Sequence, residues 1–269
     1  MTQTVAQIKA LLASRGLRPR HRFGQNFLID ASKVDLLLDA SGVVAGDLVL
    51  EVGPGTGVLT EALVDRGVEV VACELDRDLA ALVRDRLGDA ITMLEGDCLG
   101  PGRTLAALVA DALGDRAFYL IANLPYDAAS PVMATLAMHW STCIGQFVTI
   151  QKEVADRLTA EPGSRAWGPL SIHIRRTCTV RRLAVLRPGC FWPQPGVTSA
   201  MVAIEPHRPP YDAAEAFATF ITTLFGSRRK QLGSTLDRGV VESVGIDASR
   251  RAETLSMDEL ERLAAAFAH

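Results

Sequence analysis

From Asp47 to Ile150 the sequence alternates short apolar runs with amphipathic segments, and this alternation constrains the fold more than any other feature. The apolar runs have the length of buried strands, and the segments between them have helical periodicity. Alternating strands and helices form parallel sheets with right-handed crossovers, so the pattern predicts a doubly wound α/β domain. The predicted strands are residues 48–52, 68–74, 91–95, 118–122 and 146–150, and the predicted helices are residues 58–66, 77–87, 104–113 and 131–139.

The regular alternation of strand-like and helix-like segments ends after Val154. Strand-like runs at residues 180–186 and 200–204 complete the sheet as an antiparallel pair, which gives seven strands. After two consecutive prolines the pattern predicts only helices, at residues 213–225, 229–236, 248–255 and 257–266. A chain of 269 residues is long enough for one core to divide. We therefore predict an α/β domain over residues 1–208 and a small all-α domain over residues 209–269.

Composition excludes several other classes of protein. Apolar residues make up 48% of the chain and charged residues 22%, as in ordinary globular proteins. The five cysteines form no C-x-x-C pair, and the five histidines lack ligand spacing, so we expect reduced thiols and no metal. The N-terminus does not resemble an export signal, and polar residues and Pro131 interrupt the uncharged stretch 128–151, so we expect no membrane association.

Residues 49–57 read Val-Leu-Glu-Val-Gly-Pro-Gly-Thr-Gly and place a glycine-rich turn where a buried strand meets a helix. Glycines accept positive φ angles and let a ligand approach the backbone closely, so Gly53 and Gly55 are candidate ligand contacts. Nucleotide-binding dehydrogenases share this feature. A purely structural tight turn is the other interpretation.

Two acidic residues follow this turn at the ends of successive strands, Glu74 and Asp97. A carboxylate at the first position can accept both hydroxyls of a ribose, and a second can accept the exocyclic amine of adenine. A dehydrogenase does not need the second acid, whereas an S-adenosylmethionine site uses both. The alternative is that each acid caps the helix that follows it.

The most specific motif is Asn123-Leu124-Pro125-Tyr126, at the end of the fourth predicted strand. It resembles the motif of methyltransferases that act on planar exocyclic amines. The lone pair of adenine N6 is delocalised, so the enzyme must favour a pyramidal nitrogen. The Asn123 amide oxygen and the Leu124 carbonyl can accept the two amine hydrogens while the Tyr126 ring stacks on the base. An ordinary X-Pro turn with a half-buried tyrosine is the alternative.

Together these motifs resemble, in order and over nearly the whole chain, the ribosomal RNA adenine N6-dimethyltransferases. The matching segments are the glycine turn, Glu74, Asp97, and residues 21–28, 123–126, 151–154, 191–199 and 228–230. Within that family the chain most resembles the bacterial small-subunit enzymes, and its helical C-terminus supports this choice. Those enzymes dimethylate two adjacent adenosines near the 3′ end of 16S RNA. The resemblance implies a class I (Rossmann-like) methyltransferase that converts S-adenosylmethionine to S-adenosylhomocysteine.

The resemblance also implies the residues of the site. The expected cofactor-binding residues are Asn26, Leu28, Gly53, Gly55, Glu74, Leu75, Asp97, Cys98 and Asn123. The expected catalytic residues are Asn123, Leu124, Pro125, Tyr126 and Phe191. Phe191 begins a segment similar to the family's F-x-P-x-P-K-V-x-S loop, and its ring would face the target base opposite Tyr126. Filling the core is the alternative role for Phe191.

The charge of the chain is unevenly distributed although the net charge is only −3. Residues 1–33 and the arginine-rich stretch 162–208 are basic, which indicates either an RNA-binding surface or solvated faces of ordinary elements. We expect Arg20, Arg22, Lys152, Arg228, Arg229 and Lys230 to contact phosphates. The expected partner is 16S RNA within an immature 30S subunit, bound by a cytoplasmic monomer.

Two positions depart from the family pattern. Gly196 replaces the usual lysine, and Asp127 follows the Asn-Leu-Pro-Tyr motif where asparagine is common. The first change removes a positive charge and the second adds a negative one, and both weaken contacts with phosphates. They leave open a different ribosomal adenine as the target. They also leave open a ribosome-assembly factor with secondary or no methylation activity.

Overall fold

The computed structural model describes residues 3–20, 24–210 and 214–267. Seven strands form the central sheet in the order β4-β3-β2-β5-β6-β9-β7. Their bounds are β2 Leu48–Val52, β3 Glu69–Glu74, β4 Ile91–Glu95, β5 Phe118–Asn123, β6 Cys143–Gln151, β7 Cys178–Leu186 and β9 Ser199–Pro206. Two short strands, β1 Phe27–Leu28 and β8 Phe191–Trp192, pair antiparallel as a separate ribbon.

The helices of the sheet region are α1 Val5–Ala13, α2 Ala31–Ser41, α3 Val58–Asp65, α4 Arg77–Leu87, α5 Ala107–Leu113, α6 Tyr126–His139, α7 Lys152–Leu158 and α8 Pro169–Arg175. Those that follow are α9 Ala214–Gly226, α10 Arg238–Ser243 and α11 Met257–Ala266. The predicted α/β class and the seven-stranded sheet are confirmed. The antiparallel pairing of β7 with β9 is also as predicted.

The order of strands creates a crevice at one edge of the sheet. The chain runs outward from β2 to β3 and β4, then returns to lay β5 against the other side of β2. Strands β2 to β6 are parallel, so their carboxyl ends lie at the same edge. Ligands in open α/β sheets bind where the strand order reverses. The glycine turn after β2 and Asn123 at the end of β5 both lie at this point.

Alternate residues of the strands pack into two cores on opposite faces of the sheet. Leu50 faces α5, α6 and α7, whereas Val49 faces α1 to α4. A third core joins α9, α10 and α11 to Trp167 and Ile172, which precede β7. The C-terminal helices therefore share buried apolar surface with the segment between α7 and β7.

Several predicted helices differ from the structure. The helix predicted at residues 131–139 begins earlier, at Tyr126, directly after Pro125. The helices predicted at residues 229–236 and 248–255 are absent as α-helices. The backbone there pairs across segments instead: the Leu232 N–H donates to the Arg250 carbonyl at 2.8 Å, and the Gly233 N–H donates to the Ala248 carbonyl at 2.9 Å. Only single 3₁₀ turns remain, at Leu232–Ser234 and Ala252–Thr254.

Candidate active site

A cleft of about 360 Å³ opens at the carboxyl ends of β2 to β5 and is closed on one side by residues 24–28. It brings together residues from widely separated parts of the sequence. Of the predicted site residues, those that line it are Asn26, Leu28, Gly53, Gly55, Glu74, Leu75, Asp97, Cys98, Asn123, Leu124, Pro125 and Tyr126. Every predicted cofactor-binding residue and four of the five predicted catalytic residues therefore share one cavity.

The glycine turn forms the floor of this cleft, with φ angles of +73° at Gly53 and +61° at Gly55. Side chains rarely accept such angles. A Cβ atom at Gly55 would lie 2.8 Å from the Phe27 ring, and one at Gly53 would lie 2.9 Å from Pro125. The glycines are thus required both by the turn and by the close approach of the two walls.

Glu74 holds the turn in place from the neighbouring strand. Its carboxylate accepts the Gly55 N–H at 3.1 Å and the Asp76 N–H at 3.0 Å. Burial raises the pKa of this carboxyl group. The helix-cap alternative does not describe Glu74, because Asp76 caps α4 through the Asp78 N–H. Asp97 is exposed and accepts the Leu99 N–H at 2.9 Å within a loop.

Glu51 is a further acidic residue of the cleft, to which the sequence analysis assigned no role. It lies within β2, is 2% exposed, and its Oε2 atom has no hydrogen-bond partner among the described residues. Burial raises its pKa to about 8, and the nearby Glu74 contributes. A single ionisable residue inside an otherwise apolar strand is the signal that identifies it, because such groups are rarely buried without a partner or a function.

The amide of Asn123 is oriented by the opposite wall of the cleft. Its Nδ2 atom donates to the main-chain carbonyl of Asn26 at 2.9 Å. The Leu124 N–H donates to the Thr149 carbonyl at 3.1 Å. Because the NH₂ group of Asn123 is used in this way, its carbonyl oxygen is the part of the amide available as an acceptor.

Tyr126 begins α6 and is half-buried at the rim of the cleft. Its hydroxyl lies 3.1 Å from the Ser199 hydroxyl. Burial raises the pKa of the phenol, so it stays protonated at neutral pH. The ring rather than a phenolate is the chemically relevant part of this side chain.

Phe191 is the one predicted catalytic residue that does not line the cleft. It is 2% exposed, pairs in register with Leu28, and packs in the core on the α1 to α4 face. This position fits the alternative role of filling the core. The next residue, Trp192, stacks on Phe27 with ring centroids 6.4 Å apart, and Lys9 lies over its ring.

The residues predicted to bind RNA occupy different environments. Arg20 pairs with Asp76 at 2.8 Å and with Asp78 at 2.5 Å, and Lys152 pairs with Asp156 at 2.7 Å. Arg22 lies outside the described residues. The other three predicted RNA contacts lie on the turn after α9. The Arg228 side chain donates a hydrogen bond to the Arg165 carbonyl, whereas the side chains of Arg229 and Lys230 are exposed.

The arginine-rich stretch 162–208 is largely neutralised within the protein. Arg176 and Arg208 both pair with Glu261 of α11, and Arg176 also lies over the Phe217 ring. Ion pairs are likewise formed by Arg175, Arg181 and Arg182. Arg176 and Arg208 thus link α11 to the segment around β7, whereas the ion pairs of Arg181 and Arg182 lie along the edge strand β7.

Two other features are absent from the described part of the chain. Within residues 3–20, 24–210 and 214–267, no three His, Cys, Asp or Glu side chains are grouped as metal ligands. Among the same residues, no helix is long and apolar enough to cross a membrane.

Several features of the cleft itself match S-adenosylmethionine. Gly53 and Gly55 line the cleft without side chains, so a ligand can approach the backbone of the turn closely. The unpartnered Glu51 oxygen suits a cationic amino group, and the Glu74 carboxylate suits ribose hydroxyls. Such a cavity, placed at the switch point of this sheet, defines a class I methyltransferase dependent on S-adenosylmethionine.

Comparison with known proteins identifies the group within that class. The chain belongs to the ribosomal RNA adenine dimethylase family, whose model matches residues 16–268. It is 37% identical to ribosomal RNA small subunit methyltransferase A of Bifidobacterium adolescentis, over 97% of this chain and 93% of that protein. It is 39% identical to the protein of the same name from Magnetococcus marinus, over 96% and 95%.

Solved structures agree with this fold. A dimethyladenosine transferase from Plasmodium falciparum has a TM-score of 0.72 at 21% identity, covering 88% of this chain and 95% of that one. The 23S rRNA methyltransferase ErmE has a TM-score of 0.66 at 21% identity, covering 91% and 100%. At this identity the likeness describes the fold.

Proposed function

We propose that the protein methylates the N6 amines of two adjacent adenosines near the 3′ end of 16S ribosomal RNA, giving N6,N6-dimethyladenosine during maturation of the small subunit. The similarity to small-subunit methyltransferases supports this RNA as the target. The observation that carries the chemistry is the hydrogen bond from Asn123 to Asn26, because it leaves the amide oxygen as an acceptor for an amine.

Three groups of the Asn-Leu-Pro-Tyr segment act on the target base in this proposal. The Asn123 side-chain oxygen and the Leu124 carbonyl accept the two N6 hydrogens, which favours a pyramidal nitrogen. The Tyr126 ring stacks on the base and fixes its plane. S-adenosylmethionine supplies a methyl group on a sulfonium sulfur. The protein contributes position and charge stabilisation, and the proton that N6 loses as it gains the methyl group passes to water or to a main-chain acceptor.

The cofactor contacts follow from the walls of the cleft. Glu74 accepts hydrogen bonds from the ribose hydroxyls, and Asp97 accepts one from the exocyclic amine of the cofactor's adenine. Glu51 faces the cationic amino group of the cofactor. The remaining walls come from Asn26, Leu28, Gly53, Gly55, Leu75 and Cys98. Since Phe191 is buried, the stacking role falls to Tyr126.

We assign cofactor binding and catalysis to residues 1–208 and a share of RNA binding to residues 209–269. Arg229 and Lys230 are exposed and suited to phosphate contacts. Arg20 and Lys152 would have to exchange their aspartate partners for phosphates. The protein acts in this proposal as a cytoplasmic monomer on an immature 30S subunit.

The test is incubation of the protein with labelled S-adenosylmethionine and 30S subunits from a strain without the dimethylation. Digestion and chromatography identify the modified nucleoside, and primer extension maps it. The expected result is N6,N6-dimethyladenosine at two adjacent positions of 16S RNA. Label in 23S RNA would instead support a different adenine. Tight binding to the subunits without label would support the assembly-factor alternative.

A further inference from the structure

Ser199 lies at a rigid point beside the cleft. It is fully buried and begins β9, in register with Gln151 of β6 on one side and Leu186 of β7 on the other. Hydrogen bonds to strands on both sides of β9 restrict its movement, so the backbone that carries the Ser199 side chain is held in place. Its hydroxyl lies 3.1 Å from the hydroxyl of Tyr126.

The Tyr126 ring needs such a contact if it is to present a defined face. The χ2 torsion of tyrosine is broad, so packing or hydrogen bonds must set the tilt of the ring. The phenol oxygen is the atom farthest from the backbone, and a bond there restrains the tilt most effectively. Tyr126 is only half-buried, so packing alone leaves one side of its ring open.

We propose that Ser199 is a positioning residue that sets the plane of the Tyr126 ring for stacking on the target adenine. The inference rests on the proposed function, because it assumes that Tyr126 stacks on a base. Ser199 itself does not line the cleft, so it acts through Tyr126.

A double-mutant cycle tests this role. Ser199→Ala and Tyr126→Phe each remove one side of the hydrogen bond and should lower kcat about five-fold, or about 1 kcal/mol at 1.36 kcal/mol per tenfold. The KM for S-adenosylmethionine should not change. The double variant should be no slower than either single variant, because each substitution removes the same hydrogen bond. Independent, multiplying losses would overturn the proposal, and so would a wild-type kcat for Ser199→Ala.

Ser171→Ala is the matched control. Ser171 is also fully buried, and its hydroxyl donates to the Arg157 carbonyl at 2.5 Å, away from the cleft. This variant should lower the melting temperature and leave kcat unchanged. If Ser171→Ala lowers kcat as much as Ser199→Ala at equal loss of stability, the effect of Ser199 is structural and the proposal is wrong.

An NMR measurement separates this inference from the proposed function. The chain has three tyrosines, so ring-labelled tyrosine gives few signals, and Tyr126→Phe identifies the signal of Tyr126. Ser199→Ala should shift that signal and leave that of Tyr119 in place. An unmoved Tyr126 signal would overturn the positioning role whatever the activity. Failure of the wild-type protein to methylate RNA would instead overturn the proposed function.

Discussion

The side-chain amide of Asn123 donates a hydrogen bond to the main-chain carbonyl of Asn26 at 2.9 Å. The two residues stand on opposite walls of the cleft, one at the end of β5 and one just before β1. The contact fixes which end of the Asn123 amide faces the cavity. It also ties the segment over the cofactor site to the residue expected to bind the target amine.

Replacement of Asn123 by alanine should affect the chemical step more than binding. Asn123→Ala removes an acceptor that matters most as the amine becomes pyramidal, so kcat should fall on the order of a hundred-fold. Asn26→Ala keeps the main-chain carbonyl, so its effect should appear in cofactor affinity and far less in kcat. Single-turnover methylation and filter binding measure the two effects. A parallel loss of RNA affinity in Asn123→Ala would contradict the assigned role.

Glu74→Ala should weaken cofactor binding. It removes a charged acceptor and releases the Gly55 N–H, which predicts a loss of roughly 1.5 to 3 kcal/mol. RNA affinity should barely change. Calorimetry with S-adenosylhomocysteine measures the loss, and Glu69→Ala, at the exposed opposite end of β3, is the control. Unaltered affinity in Glu74→Ala would limit this residue to a structural role.

The buried Glu51 should make stability depend on pH. Its pKa is raised from 4.5 to about 8 in the folded protein. The folded state therefore keeps a proton that the unfolded state loses, and stability falls as pH rises from about 4.5 to 8. Glu51→Gln removes this dependence, so its stability relative to wild type should increase by about 1.4 kcal/mol per pH unit in that window. Urea unfolding of both proteins at several pH values measures this difference in stability. A difference that stays constant across the pH window would refute the prediction.

The turn after α9 should contribute to the salt dependence of RNA binding. Neutralising Arg228, Arg229 and Lys230 together should reduce the slope of log affinity against log salt by about 0.7 to 0.9 for each phosphate that these side chains bind. Arg116→Gln is the control, because Arg116 precedes β5 at the edge of the sheet opposite the cleft. An unchanged slope in the triple variant would place the RNA elsewhere.

The sequence predicted β2, β3, β5 and β6 well because each is mostly apolar and mostly buried, as in β2, where all five residues are buried. Helix α1 was not predicted, although Thr4 and Gln7 form a capping box that the sequence shows. The helix predicted at residues 229–236 was wrong because its backbone bonds reach residues 248–250, and local periodicity does not reveal such distant partners.

The site was predictable where neighbouring residues form a motif and unpredictable where distant residues meet. Asn123 and Glu74 are recognisable from their places at strand ends. The contact between Tyr126 and Ser199 joins residues 73 positions apart, and the burial of Phe191 depends on its pairing with Leu28. Neither relationship has a local signature in the sequence.

The pairing of β1 with β8 also determines when the cleft is completed during synthesis. The glycine turn and the Asn-Leu-Pro-Tyr segment leave the ribosome well before residues 191–192 have been made. A nascent chain can assemble strands β2 to β5, but the segment carrying Asn26 has no strand partner until β8 emerges. Pairing segments this far apart in the chain costs loop-closure entropy, which local contacts do not. The segment over the cavity therefore gains its strand partner only after the residues that form the floor have been synthesised.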